Sequence, residues 1–572
     1  MLLTLVECTP VGCDRHNLAV TPSNRDIETI AEDLMTVGEM YRSPEPSPSD
    51  SSVVFLRSAA GGRSLFRVTP ERTEQLKPEG TLGVLFRWSP QGQRLLLKSL
   101  FTNSVQLQFY LPDLNAFQPA LAMQTNAIGS LAWLDEQHFA FTTITGDGAA
   151  AEVRLTTLGG LAKVLRRFPT PGTMDYMVPI SAHQIAYLEN REICTLDVYS
   201  GEFRQITTNA SKQFIWLEYS PERRSFLFCS EDESDWRHLF SYSLEPAEVD
   251  RMRQLTFGPE HTYNGQWIQK GKGFAYIGND TNHFYLAVRP ENPLLRTNLF
   301  AMGHVLAYRP SSDGQAIFAA AAVEQEPAGI WRYEIDSRVL TQIFPGADRK
   351  FSKAESVRSI ERRAKSFDGL AVPYFVSFPK GFEQSKKFPV IIAIPPEAGQ
   401  FVQAWEKYAQ FFANIGVIYV AVNPRGSDGY GLTYRKLPAE DAYRDVLAVR
   451  DEILKEAGAD SSRMFLLTYS NGSYDANKLA HKFTEYWDGV IVISGSVPQF
   501  PEAGPLPRYF VFMGEQDKPG LVQRARQFKK WAEANHASVT VLFDKDTEHH
   551  ITNTDVDRLL AIELASFIYH RK

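Results

Sequence analysis

One sequence unit occurs six times between residues 88 and 320, and its period constrains the fold more than any other feature of the chain. Each copy is an aromatic residue or a proline, then a polar turn, then an apolar strand: "WSPQGQRLLLKS" from Trp88, "WLDEQHFAFTT" from Trp133, "PISAHQIAYLE" from Pro179, "YSPERRSFLFCS" from Tyr219, "WIQKGKGFAYIG" from Trp267 and "YRPSSDGQAIFAA" from Tyr308. The intervals between them are 45, 46, 40, 48 and 41 residues. Short strands recurring with a period in the forties specify propeller blades, small sheets that must stack on their neighbours to bury their faces. The strand "SSVVFLRS" ahead of Trp88 adds one more unit, so the pattern predicts a seven-bladed β-propeller over 50–354 with the repeated aromatics in the inter-blade core. A β-sandwich is the alternative, for which this spacing would be coincidental. A propeller is a scaffold and implies no chemistry by itself.

Ahead of the repeats, residues 25–41 have helical spacing and "SPEPSPSDSS" reads as a proline-serine linker, which gives an N-terminal helical segment and linker over 1–49. The opening "MLLTLVECTPVGCDRH" carries no basic residue before its apolar start and Glu7 interrupts that start, a poor fit to a signal peptide. No apolar run reaches the roughly 20 residues that span a bilayer, so no membrane partner is expected. Cys8, Cys13, Cys194 and Cys229 form neither a disulfide framework nor zinc-ligand spacing. A reducing, cytoplasmic location is the expectation. A net charge of -7 without a basic cluster argues against nucleic acid as a partner.

Beyond residue 355 the periodicity switches. A hairpin pattern ("SVRSIERRAKSFDGLAVPYFVSFP") precedes the buried strands "FPVIIAI", "VIYVAV", "MFLLTYS", "GVIVIS", "RYFVFMG" and "SVTVLFD", which alternate with helical patterns at 404–415, 441–456, after Ser470, at 520–535 and at 554–570. Continuous apolar strands alternating with amphipathic helices specify an α/β domain over 355–572, a mostly parallel sheet covered on both faces. In such sheets the carboxyl ends of the strands line the reactive crevice. Ser470, Asp517 and His549 each follow a strand, in the chain order Ser, Asp, His of α/β-hydrolases. A serine hydroxyl needs this company: a histidine to take its proton and return it to the leaving group, and a carboxylate to fix the imidazole. Metal binding by the adjacent pair His549 and His550 is not expected, because neighbouring histidines point apart and no H-E-x-x-H helix accompanies them.

These residues resemble the prolyl oligopeptidase family of serine peptidases, which joins a seven-bladed propeller to an α/β-hydrolase domain. "NPRGSDGYG" from Asn423 is similar to that family's N-Y-R-G-S-x-G-Y-G signature, "YSNGS" to its G-x-S-N-G-G elbow, "MGEQD" to its H-G-x-x-D and the His549 region to its E-G-H segment. Within the propeller, "SEDESDWRHLFSYS" and "RQLTFG" resemble the dipeptidyl peptidase IV branch. The resemblance implies Ser470 as nucleophile, Asp517 as carboxylate and His549 as general base, with the Asn471 N–H as an oxyanion donor. It implies short peptides or small acyl compounds as substrates and no cofactor; self-association is left open.

The departures bear on activity. Thr468 and Ser473 stand where the elbow has glycines, and only Gly472 is kept. "IPPEAGQ" occupies the place of the family's oxyanion loop, and Pro395 and Pro396 have no N–H to offer. Ser470 and Asp517 are 47 residues apart, shorter than the family's usual interval, and the missing segment after "VISGSVP" would by resemblance build part of the specificity pocket. No Tyr-x-Glu-Glu element is present to hold a substrate amino terminus. Two outcomes follow: a hydrolase working through Ser470, Asp517 and His549 with a weakened oxyanion hole, or a catalytically inactive homologue that binds a peptide or protein. Retention of the three triad residues favours the first, and the proline loop and lost segment favour the second.

Overall fold

The computed structural model describes residues 26–39, 44–101, 104–123, 128–145, 150–168, 174–208, 213–231, 235–248, 250–323, 325–344, 356–396, 399–498 and 506–569. Between Glu45 and Phe344 the described chain forms seven antiparallel units of four strands, each following the last along the sequence. They span 45–76, 81–123, 128–168, 174–205, 213–254, 261–299 and 303–344, the last two joined by one parallel pairing of Phe284 with His304. This is the seven-bladed propeller that the repeat predicts.

The recurring aromatic has a polar tip for a reason. It lies at or near the end of the first strand of its blade and donates a hydrogen bond to a carbonyl of the blade before: Trp88 Nε1 to Glu45 O at 3.2 Å, Trp133 Nε1 to Arg87 O at 3.2 Å, Trp267 Nε1 to Ser225 O at 3.2 Å and Tyr308 Oη to Ala275 O at 2.6 Å. A large ring fills the space between blades while its N–H or O–H satisfies a buried acceptor. The first strands also carry charge to the axis. Arg87 of the second blade and Arg309 of the seventh both pair with the Glu45 carboxylate of the first. Burial pushes the Glu218 carboxyl of the fifth blade up, and the charges of Arg309 and Arg87 draw it back. Blades two and five face each other across the ring, so these four charges gather where the first strands converge.

Two parts of the chain differ from the sequence reading. The proline-serine stretch is more than a linker: it contributes Glu45–Pro46, a two-residue strand that pairs with Val53–Val54 and opens the first blade. Two residues are too few to show an alternating pattern. The helix expected near 25–41 is Ile27–Met35 (α1), started by Asp26, whose carboxylate accepts the Thr29 N–H at 2.7 Å. Its buried residues Ile27, Ile30, Leu34 and Met35 do not stand apart from the α/β domain but share a core with Phe412 and Leu560 of that domain.

The second domain has an eight-stranded sheet: β1 (Ser359–Lys365), β2 (Ala371–Ser377), β3 (Phe388–Ile394), β4 (Ile418–Val422), β5 (Ala459–Tyr469), β6 (Gly489–Ile493), β7 (Arg508–Gly514) and β8 (Val539–Asp544). Their order is β1-β2-β4-β3-β5-β6-β7-β8, antiparallel through β4 and parallel thereafter. On β5, Met464 and Leu466 point to one face and Phe465 and Leu467 to the other, the period-two alternation of a strand buried on both sides. Helices α3 (Ala442–Ile453), α4 (Ser473–Lys482) and α5 (Pro519–Ala534) cover the first face; α1, α2 (Lys407–Asn414) and α6 (Thr554–Tyr569) cover the second.

The two domains are stitched by polar contacts. The Asp235 carbonyl accepts the Leu432 N–H at 2.7 Å, and the Asp235 carboxylate accepts the Thr433 N–H. Gln400 bridges Asn279 at 2.8 Å and the Thr281 carbonyl at 2.6 Å, while Tyr263 Oη donates to Asp428 at 3.3 Å. Asp235 thus meets the α/β domain, while, two residues on, the Arg237 guanidinium pairs with Glu231 and lies 4.7 Å over the Tyr263 ring of the next blade, a contact between blades.

Candidate active site

β5 ends at Tyr469, and the chain turns directly into a short 3-10 turn and then α4, placing Ser470 at the tip with φ of 52°. A non-glycine residue in the left-handed region is strained, and here the strain lifts the hydroxyl above the sheet edge. Two neighbours hold the turn. Ser473, where the related elbow has glycine, donates its hydroxyl to Ser470 O at 2.7 Å and accepts the Ser496 N–H at 2.8 Å. Gly472 is confined: a Cβ there would lie 2.5 Å from Pro395 O and 2.7 Å from Thr468 Oγ1. Thr468 thus fills the space that a glycine leaves open, and Gly472 cannot follow it. Gly472→Ala is expected to push the elbow apart and lower any Ser470-dependent rate by at least about 100-fold, since misplacing a reacting atom by about 1 Å costs that much; steady-state kinetics with a folding check by circular dichroism measures it.

Asp517 sits in the turn between β7 and α5, and His549 in the loop between β8 and α6. The two segments are laced together: Glu515 N–H bonds to Asp544 O at 2.8 Å and Gln516 N–H to Thr547 O at 3.1 Å. Gly514 permits this, because a Cβ on it would meet Thr547 O at 2.2 Å and Glu548 O at 2.5 Å. The structure brings the three sequence-predicted side chains into one line. His549 Nε2 lies 2.9 Å from Ser470 Oγ, and His549 Nδ1 lies 2.8 Å and 3.0 Å from the two Asp517 carboxylate oxygens. The Asp517 side chain is fully buried while the imidazole is about one quarter exposed. One Asp517 oxygen also accepts the Lys518 N–H at 2.6 Å. Asp544, a nearby carboxylate, is engaged elsewhere: its Oδ1 accepts from Thr547 Oγ1 at 2.7 Å and from the Asp546 N–H at 3.2 Å.

Asn471 follows Ser470 in the 3-10 turn, on the exposed side of the elbow. Across from it, Pro395 and Pro396 carry no N–H, and the Gly399 N–H turns back to Pro396 O at 2.7 Å; residues 397 and 398 lie outside the described residues. Two further residues, one at the site and one under the "NPRGSDGYG" stretch, escape a sequence reading. Tyr469 bonds through its phenol to the His549 carbonyl and lies 2.7 Å from His550 Nδ1, and no local motif advertises a contact made across 80 residues of chain. Asp445, on α3, receives Arg425 of the "NPRGSDGYG" stretch; a lone acidic residue at the start of a helix carries no such signal.

Set beside known proteins, residues 404–498 match the model of the prolyl oligopeptidase family. Over that stretch the chain is similar to the prolyl oligopeptidase family. Among curated proteins, it is similar to dipeptidyl-peptidase 5 of Porphyromonas gingivalis, 21% identical over 51% of this chain and 44% of that one. It is also similar to dipeptidyl-peptidase 5 of Porphyromonas endodontalis, 20% identical over 77% of this chain and 66% of that one. The chain thus spans less than two thirds of the length of these relatives. Among solved structures, a prolyl endopeptidase superposes with a TM-score of 0.80 over 96% of this chain and 92% of that chain at 12% identity, which establishes the shared two-domain fold. The prolyl oligopeptidase family match covers β4, β5 and the elbow but ends ahead of Asp517 and His549. Among the described residues no helix is long and apolar enough to cross a membrane.

Proposed function

We propose that the chain is a serine-type peptidase or acyl hydrolase acting on short peptides or small acyl compounds. The observation that supports it is the continuous hydrogen-bonded line Ser470 Oγ, His549 imidazole, Asp517 carboxylate. In this reading His549 Nε2 takes the Ser470 proton as Oγ attacks the carbonyl carbon, while Asp517 holds the Nδ1–H tautomer and stabilises the imidazolium. The same Nε2–H is then given to the leaving amine or alcohol. A water, deprotonated by the same nitrogen, releases the acyl group from Ser470.

The developing oxyanion receives the Asn471 N–H, with no partner from Pro395 or Pro396. Losing one such donor costs on the order of 100- to 1000-fold in turnover, so activated esters and anilides should outrun plain amides. Cys194 and Cys229 are free and buried, which suits a reducing compartment and supports placing the protein in the cytoplasm. The test is covalent labelling with a fluorophosphonate followed by peptide mapping, with the adduct expected on Ser470. An unmodified protein at saturating probe removes the catalytic reading. The proline pair favours a second reading in that event, a peptide-binding homologue using the same cleft.

A further inference from the structure

We propose that Tyr469 and His550 form a positioning pair that fixes the general base by holding the main-chain carbonyl of His549. The inference rests on the reading of His549 as that base.

Side chains alternate along β5, so Tyr469 leaves the strand on the face opposite Thr468 and lies in the layer shared with α1, α2 and α6. From there its phenol reaches the His549 carbonyl oxygen and, at 2.7 Å, His550 Nδ1. Its ring lies 5.7 Å from that of His550 at an interplanar angle of 20°, and 5.5 Å from that of His549 at 57°. Proton bookkeeping then fixes the roles. A carbonyl only accepts, so the single phenolic proton goes to His549 O. His550 Nδ1 must therefore be a donor, and the chain runs His550 Nδ1–H to Tyr469 Oη–H to His549 O. Burial first, then the neighbouring His549 and Arg63, hold the His550 cation below the usual imidazole range, so the ring that donates is neutral and carries its proton on Nδ1.

The arrangement matters because of what it connects. Lys545, Asp546 and Glu548 are exposed, and the buried anchor of the loop is Thr547, two residues before the imidazole, so Tyr469 adds a hold at His549 itself. Tyr469 and Ser470 are consecutive at one strand end. Holding His549 by its carbonyl from the residue next to the nucleophile sets the Nε2 to Oγ separation from the Ser470 side, as the Asp517 carboxylate sets it from the other.

The test uses the full chain with histidines 15N-labelled in the ring, alongside fluorophosphonate kinetics. In the wild type the His550 nitrogens should report the Nδ1–H tautomer, assigned by its loss in His550→Asn; in Tyr469→Phe, which keeps the ring and removes the hydroxyl, the signal should move to Nε2–H. Tyr469→Phe and His550→Ala should each slow Ser470 labelling and kcat by about 10- to 100-fold with KM unchanged. His550→Asn, whose amide nitrogen can stand in for Nδ1, should restore most of the rate. A wild-type His550 in the Nε2–H form overturns the pair, as does a Tyr469→Phe protein that labels at the wild-type rate. A wild type that does not label at all overturns the catalytic reading instead, and the tautomer of His550 still decides whether the pair exists.

Discussion

His549→Ala is expected to reduce Ser470 acylation by about 10⁴- to 10⁶-fold, the scale on which triad members act in serine hydrolases. The size follows from geometry: Nε2 at 2.9 Å is the described acceptor for the Ser470 hydroxyl proton. Asp517→Asn should fall by about 10⁴-fold, because an amide facing Nδ1 favours the wrong tautomer. Since Asp517 is fully buried and bonded to the Lys518 N–H, the amide variant is preferable to alanine for keeping the turn intact. Single-turnover labelling of the three proteins gives the comparison. Equal rates in wild type and His549→Ala would mean that the imidazole does not take the proton.

The second large effect is on stability. Arg425 and Asp445 are almost fully buried, at 3% and 0% side-chain exposure, and meet in a bidentate pair at 2.8 Å and 2.9 Å. Asp445 also accepts the Arg425 N–H at 2.8 Å and the Ser366 hydroxyl at 2.6 Å, and the hydrogen bond to Asp445 holds the guanidinium pKa well above its usual value. Asp445→Ala strands two donors and leaves the buried cation only the part-exposed Asp368 carboxylate, 2.9 Å from its other terminal nitrogen, and should cost about 3 kcal/mol. Removing both charges together, in Arg425→Met with Asp445→Leu, should cost distinctly less, because no charge is then left buried without a partner. Urea titrations of the wild type and the two variants distinguish the cases. Similar losses for the single and double variants would show that the pair acts by packing alone.

Much of the architecture was legible in the sequence, for identifiable reasons. The blades are visible because four of them reuse an aromatic that reaches the blade before it, so Trp88, Trp133, Trp267 and Tyr308 recur at whole-blade spacings. Ser470, Asp517 and His549 could be named because parallel strands read as unbroken apolar runs whose ends are easy to locate. What remained hidden depends on partners far along the chain. Glu45–Pro46 is too short to look like a strand and is defined by Val53–Val54 and by Arg87 and Arg309. Tyr469 reads as an ordinary strand residue until the 545–553 loop is folded against it. The "NPRGSDGYG" stretch was recognisable as a motif, but the use of its arginine, a tether to Asp445, was not.

The docking of α1 onto α2 and α6 carries a consequence for biosynthesis. A ribosome delivers residues 27–35 long before 407–414 and 554–569, the segments that bury them. During translation that helix has an apolar stripe and nothing to cover it, while strand pairing within each blade is local and can form as the blade emerges, the seam between the first and seventh blades closing once residue 344 is made. The propeller should therefore be complete while the older helix still waits, and a nascent chain halted before residue 554 should expose Ile27, Ile30 and Leu34 to chaperones or to limited proteolysis.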